Sequence, residues 1–568
     1  MDPGSPMHRT SRLPDPPNLK GSYMLSNSNA PRLKGAALYG LSALSAAIAL
    51  AASVPAFAAQ PAWVSTATHA HTLGADVTVR NFAPANMPLH VEVALQVQNR
   101  PVLDAFIAAT RDPSNAMYQQ KLIPSDIAAE FAPSSAKIQA VVDHLRNAGF
   151  TNIVVAPNHL MISADGTAQS ALKGFNTRIE QVSVAGRGNA FANIDAAQVP
   201  AALGGTVLSV IGLQNVHQAH TMLKKGPVVY GKPGPAPSGV VGHNPTTFPT
   251  IYGVGSTPTA STVTVGIISD GNMTQPLKDL TQFTTTNGLP AVNTQVITVG
   301  AAGTDTGGTA EWDLDSQDIV GMSGGVSKLI FYTATSLAND ALTAAYNKAV
   351  TDNVARVVNV SLGECETYAY QDGTMAADDQ IFAVGVAQGQ TFSISTGDAG
   401  SNECGSSPRG TTPSYPASSP SVIAVSGTTL STGTGNSWKS ETLWSKSGGS
   451  PSTVEAKPSW QTKGGSTRDV ADVAFDGDPN SGAIIIVNGA NAQYGGTSLS
   501  APLFAATWAR MLAGHSTLGF AGPHLYTAPT SIYHDVTSGS NGGESATTGW
   551  DLASGFGSII VGNANTSL

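Results

Sequence analysis

Ser498 stands in the run Gly495-Gly496-Thr497-Ser498-Leu499-Ser500-Ala501-Pro502, followed by the apolar stretch Leu503–Leu512. A turn of small residues leading into a helix presents a hydroxyl at the helix N-terminus. Free amides and the helix dipole there favour a nucleophile and its developing oxyanion. The competing reading is an ordinary serine cap, which serine and threonine often provide. A second run, Gly307-Gly308-Thr309-Ala310-Glu311-Trp312-Asp313-Leu314-Asp315-Ser316-Gln317-Asp318, opens with Thr309 as a helix cap. Glu311 and Asp315 are then i and i+4, adjacent on one face. Two such carboxylates repel, or they share a proton, which raises one pKa and makes that group a usable base in acid. A solvated acidic helix face is the alternative. Asp398, in Ser395-Thr396-Gly397-Asp398-Ala399-Gly400, sits at a strand end between glycines, where a turn residue is the plain reading. Finally, Asp535 and Asp551 flank a Gly-rich loop. Two carboxylates with loop carbonyls beside them suit a hard cation such as Ca²⁺, although aspartates also simply form turns.

Taken together these runs change weight. Gly-Thr-Ser498-x-Ser-x-Pro resembles the nucleophile motif of subtilisin-like serine peptidases and of their acidic relatives, the sedolisins or serine-carboxyl peptidases. Subtilisins order their triad Asp, His, Ser, yet no histidine lies between His243 and His515. A histidine base in that order is therefore unavailable. The Glu311-x-x-x-Asp315 pair and the Ser395-x-Gly-Asp398-x-Gly run are similar to the sedolisin pattern. That resemblance implies Glu311 as general base for Ser498, Asp315 as its orienting partner and Asp398 in the oxyanion hole. An oxyanion stabiliser must donate a proton. A carboxyl in that role must be protonated, so an acidic optimum is expected from a reference pKa near 3.9. The resemblance also implies one structural Ca²⁺. Asp535 and Asp551 would bind it by carboxylate, and Val536, Thr547 and Gly549 by backbone carbonyl. Many family members have Gly where this chain has Thr547. The single Cys pair and the Glu311–Asp318 run look closest to the bacterial pseudomonalisin-like branch. Two other readings remain: a subtilisin-type peptidase with an atypical triad, and an inert secreted homologue acting in binding or adhesion.

The elements that must position these groups are legible in outline. Beyond a Pro/Gly-rich stretch, short β-branched runs (Thr262–Ile268, Lys328–Tyr332, Arg356–Val360, Gln390–Ser395 and Val422–Val425) alternate with helical segments at Ala310–Met322, Ser336–Thr351 and Asp378–Gln388. That is βαβ patterning, which predicts an α/β catalytic domain with a doubly wound parallel sheet and its chemistry at the strand carboxyl ends. By resemblance the fold is subtilisin-like. Residues from about Pro88 to His220 read as an α+β module: a strand over Leu89–Leu95, helices near Val102–Thr110 and over Ser135–Ala148, and a strand over Asn152–Ala156. The family implies a ferredoxin-like pro-domain there, acting as intramolecular inhibitor and chaperone.

Composition bounds the remainder. The 568 residues are only 11% charged, with net charge −9. That excludes a nucleic-acid binder and, with scattered aromatics, a polytopic membrane protein. Residues 1–241 hold 17 Lys+Arg against 12 Asp+Glu; residues 242–568 hold 11 against 25. Arg32 and Lys34 precede the apolar Ala36–Val54 and Pro55-Ala56-Phe57-Ala58-Ala59, the layout of a secretory signal cleaved after Ala58. The expected organisation is a leader and signal over 1–58, a pro-domain over 59–223, a linker with the maturation site over 224–242 and the catalytic domain over 243–568. Export leaves no membrane anchor and places Cys365 and Cys404 in an oxidising compartment, where one disulfide is expected. A secreted monomer acting on protein and peptide substrates is the resulting expectation.

Overall fold

The computed structural model describes residues 62–227, 240–405 and 410–568. The signal segment and most of the Pro/Gly-rich linker therefore lie outside the described residues. Among the described residues, no helix is long and apolar enough to cross a membrane.

The catalytic domain is organised by one sheet. Its strand order is Thr294–Thr298, Lys328–Ala334, Thr264–Asp270, Val357–Val360, Thr391–Ser395, Ile423–Thr432 and Trp438–Leu443, with Val473–Asp476 also paired to Ile423–Thr432. Every pairing is parallel except that of the edge strand Trp438–Leu443, which runs antiparallel. Strands such as Val357–Val360 and Thr391–Ser395 are buried at every residue. That is what parallel strands covered by helices on both faces require. The helices expected between them form at Thr309–Ser323, Asn339–Asp352 and Thr374–Ala387. The sheet is thus the α/β, doubly wound one that the patterning predicts, with an antiparallel edge.

Two buried helices carry the candidate chemistry, Thr309–Ser323 and Thr497–Gly514. They pack against each other. Neither shows the one-sided apolar stripe of a surface helix, because both are enclosed on all sides. Pro502 lies inside the second helix. It supplies no N–H for the Ser498 carbonyl four residues back, and that carbonyl stands 3.4 Å from the Ser361 hydroxyl oxygen.

The pro-domain is a four-stranded antiparallel sheet in the order Thr151–Val155, Met161–Thr167, Pro88–Leu95, Val207–Ile211. Helices Ser135–Ala148 and Ala168–Phe175 make the two crossovers, which is the ferredoxin-like arrangement. Val91, Val93, Leu145, Phe150 and Val210 form its core. The long helix starts where Ser134 accepts the Lys137 N–H and ends at Gly149 with φ of 97°. This module docks on the catalytic domain through hydrogen bonds to side chains of the region 372–380. Gln380 accepts from Val97 N at 2.6 Å and donates to the Leu95 carbonyl at 2.8 Å. Gln214 donates to Asp372 at 2.9 Å. Cys365 and Cys404 form a disulfide, which in the chain-entropy model contributes on the order of 3–4 kcal/mol for a loop of this size.

Candidate active site

Ser498 is the second residue of its helix and is fully buried. Gly496 precedes the helix with φ of 98°, a conformation reserved for glycine. A Cβ there would stand 2.0 Å from the Met222 carbonyl oxygen and 2.7 Å from Asp398 Oδ2. The bare face of Gly496 is therefore where a backbone carbonyl and the Asp398 carboxyl meet.

Helix Thr309–Ser323 brings Glu311 and Asp315 to the opposite side of Ser498. Both are buried, 1% and 0% exposed, and the spacing of four residues puts them on one face. The solvated-face alternative is thereby removed. Glu311 lies beside the Ser498 hydroxyl. Neither of its oxygens yet makes a well-formed hydrogen bond, and the Ser498 hydroxyl instead donates to the Ser361 carbonyl at 3.5 Å. Loose contacts of this kind tighten when a reaction centre is engaged. Burial, then the Asp315 charge, pushes the Glu311 carboxyl well above the usual range. Burial also raises Asp315 to about 8, against the pull of hydrogen bonds from Ser361 and Asn359. Ser361 Oγ donates to Asp315 Oδ1 at 2.6 Å, and Asn359 Nδ2 donates to Ser361 Oγ at 3.0 Å.

Asp398 is also enclosed. The Thr497 N–H and hydroxyl donate to its Oδ1 at 2.8 and 3.0 Å. Burial raises its pKa to about 7, opposed by these bonds and by Lys224, and reinforced by Glu403. Below neutrality it is a protonated acid with a hydroxyl to give.

Residues 220–226 thread the cleft between these groups. His220 and Thr221 pair antiparallel with Gly363 and Leu362 on one rim. Lys224 and Lys225 pair antiparallel with Gly495 and Tyr494 on the other. Between them Met222 donates its N–H to the Ser361 carbonyl at 3.2 Å, and its carbonyl accepts the Ser498 N–H at 3.1 Å. The Met222–Leu223 peptide bond thus lies across Ser498. The Met222 side chain is fully buried, against the open face of Gly363. Lys224 Nζ stands 3.7 Å from Asp398 Oδ2. Lys224 and Lys225, where the linker is expected to begin, are exposed as a linker should be, and are also strand-paired to one rim of the cleft. Ser361, Asn359 and Met222 carry no role in the sequence reading. Nothing local in the sequence marks Ser361 or Met222.

Segments of the chain also match known families: residues 75–216 match the activation domain of pro-kumamolisin, and 302–528 the subtilase family. Over 92% of its length the chain is 45% identical to sedolisin of Pseudomonas sp. (strain 101), covering 95% of that protein. The chain belongs to the sedolisin family. It is also 43% identical to xanthomonalisin of Xanthomonas sp. (strain T-22), over 92% of this chain and 74% of that one. A solved structure of Pseudomonas sedolisin, a serine-carboxyl proteinase complexed with pseudo-iodotyrostatin, is 46% identical with a TM-score of 0.56. It aligns to 58% of this chain and to 98% of its own. The chain is accordingly a serine-carboxyl peptidase of the sedolisin family made with an activation domain.

The second candidate site lies near the C-terminus. Asp535 Oδ2 accepts the Gly549 N–H at 2.8 Å, and Asp551 Oδ2 accepts the Thr547 N–H at 2.8 Å. Asp551 Oδ1 is already engaged by the amides of Ala553 and Ser554. The fold therefore brings together the two carboxylates and the loop bearing Thr547 and Gly549, an all-oxygen set that fits a hard cation. Val536 is buried beside them. Among the described residues, no group of three or more His, Cys, Asp or Glu side chains gathers as a metal cluster, so carbonyls would have to complete any such site. His534 stacks on Trp438 at 3.8 Å.

Proposed function

We propose that this peptidase is a secreted zymogen that cuts proteins in acid through an acyl-enzyme on Ser498, and that its first substrate is its own Met222–Leu223 bond. The observation that carries this reading is the Met222 peptide, laid antiparallel on both rims with its carbonyl on the Ser498 N–H. Glu311 takes the Ser498 proton as the hydroxyl attacks the carbonyl carbon. Asp315, fixed by Ser361, orients Glu311 and shares its proton load. Protonated Asp398 and the Ser498 N–H hold the tetrahedral oxyanion. Glu311 then gives its proton to the leaving amine, and water reverses the sequence to free the acid. The first cut falls ahead of the linker 224–242, whose own bonds become available once the chain leaves the cleft. Mass spectrometry of the precursor after acidification tests this reading, with Leu223 the expected first new N-terminus. Export through the segment ending at Ala58 accords with the basic, apolar and small-residue order of residues 32–59.

Acid also loosens the pro-domain. His71 and His217 are packed against Tyr368 of the catalytic domain, with His217 stacked on its ring at 3.4 Å. Burial lowers both to about 4; the two histidines oppose each other's charge, Arg187 opposes that of His217 and Asp76 favours it. Their released state titrates near 6.5. A base depressed by docking stabilises the docked state above 6.5, and that stability is lost as pH falls towards 4. Replacing both by phenylalanine is expected to lower the pH at which the cleaved pro-domain dissociates by at least half a unit, measured by size-exclusion chromatography across pH.

We assign Ca²⁺ to Asp535, Asp551 and the carbonyls of Val536, Thr547 and Gly549 on the donor chemistry above. When bound, it supplies charge neutralisation for the two carboxylates and fixes the loop. Chelation is expected to lower the melting temperature by several degrees, with calcium restoring it and Asp551→Asn abolishing the response.

A further inference from the structure

The seam between the pro-domain and the catalytic domain holds a partly open cavity of about 280 Å³ with cationic side chains in its lining. Arg111 and Lys121 line it from the pro-domain and His524 from the catalytic domain, with no Asp or Glu in the lining. Lys121 Nζ donates to the Leu518 carbonyl at 2.8 Å and to that of Ser516 at 3.5 Å. Arg356 Nη2 donates to the same Leu518 carbonyl at 3.3 Å and to Gly389 at 3.1 Å, while its buried Nε has no acceptor. Two cations thus converge on one carbonyl with no carboxylate paired to either.

Arg111 is more isolated still. It lies 5.7 Å from the centre of the Phe520 ring. Its sequence neighbour Asp112 turns to Ser114 instead, accepting that residue's N–H and hydroxyl at 2.9 and 2.7 Å, and Asp104 is paired with Arg100 at 2.7 Å. Burial lowers Arg111 to about 10 and, with the Arg356 charge, Lys121 to about 8. Desolvating cations without a counter-ion is costly. A chain of net charge −9 has carboxylates to spare, yet none is placed here. A guanidinium fork beside an ammonium is the donor geometry that suits a tetrahedral oxyanion. The cavity has room for one together with several waters at about 30 Å³ each.

We propose that this cavity binds a small inorganic oxyanion, phosphate or sulfate, which staples the pro-domain to the catalytic domain. Arg111 and Lys121 leave with the pro-domain, whereas Arg356 and His524 stay, so maturation dismantles the site. Binding to the docked form alone stabilises it by mass action.

The test uses full-length Ser498→Ala precursor at pH 7, with ionic strength held constant by sodium chloride. Sodium phosphate and sodium sulfate are each expected to raise the melting temperature in a saturable way. Calorimetry is expected to show one anion per chain. Arg111→Gln and Lys121→Gln, made separately, should each reduce the anion-dependent shift at least fivefold, and mature enzyme should show none. The proposal is overturned if calorimetry on the parent precursor detects no binding. It is equally overturned if chloride alone reproduces the shift, or if both glutamine variants respond like the parent.

Discussion

Replacing Ser498 by alanine is expected to leave full-length precursor at pH 4 and to reduce peptidase activity by about 10⁶-fold, the scale of losing the nucleophile in a unit of this kind. The fold should survive, because the hydroxyl makes one long contact, 3.5 Å to the Ser361 carbonyl. Its removal leaves the helix, its glycine entry and the pro-segment pairing in place. Activity would be followed on denatured protein at pH 4 and precursor length by gel. Retained processing by purified variant would contradict the assignment, and an unfolded variant would be exposed by its melting curve. Glu311→Gln should give the same accumulation, since no histidine lies within the catalytic domain between His243 and His515 to replace it.

The second large effect concerns pH. Asp398 must donate a hydrogen bond to the oxyanion, and its pKa of about 7 sets the upper limit of that ability. The proton is bound below that value, so activity is expected to fall about tenfold per unit as pH rises beyond it. At pH 8 only about one molecule in ten holds the proton. Asp398→Asn supplies an amide donor at every pH. Its alkaline limb should therefore move up by at least one unit, with activity at pH 8 exceeding that of the parent relative to each protein's maximum. Thr497, which donates twice to Asp398 Oδ1, holds the group in place in both forms. In the precursor Lys224 stands beside Oδ2 and favours the ionised form. Cleavage at Met222–Leu223 leaves Lys224 on the catalytic chain, so the pH profile should be compared on enzyme trimmed beyond the linker, where loss of the Lys224 charge favours the protonated form further.

Local signals carried much of the fold. Helix Ser135–Ala148 was readable to its ends because Ser134 and Gly149 cap it by contacts within a few residues. The parallel strands were readable because residues buried on both faces leave uninterrupted β-branched runs. Glu311, Asp315, Asp398 and Ser498 were nameable because their spacing matched a family pattern, but their burial was not. Asp313, Asp315 and Asp318 have the composition of a surface helix, and packing from several sides, by Thr497–Gly514 and by helix Thr274–Thr286 whose Asp279 faces Asp313, puts all three at 0% exposure. Ser361 carries no local signal, because its bond to Asp315 joins a strand end to a distant helix. Met222 was invisible for the same reason. Its place over Ser498 comes from pairing with two rims more than a hundred residues apart in the chain. No periodicity or cap encodes such a crossing.

The measurement closest to the central claim is time-resolved mass spectrometry of intact precursor after a shift from pH 7 to pH 4. The earliest new N-terminus is predicted to be Leu223, formed at a rate independent of protein concentration and absent from Ser498→Ala. An earliest cut anywhere else, or the same cut in Ser498→Ala alone, would contradict the account.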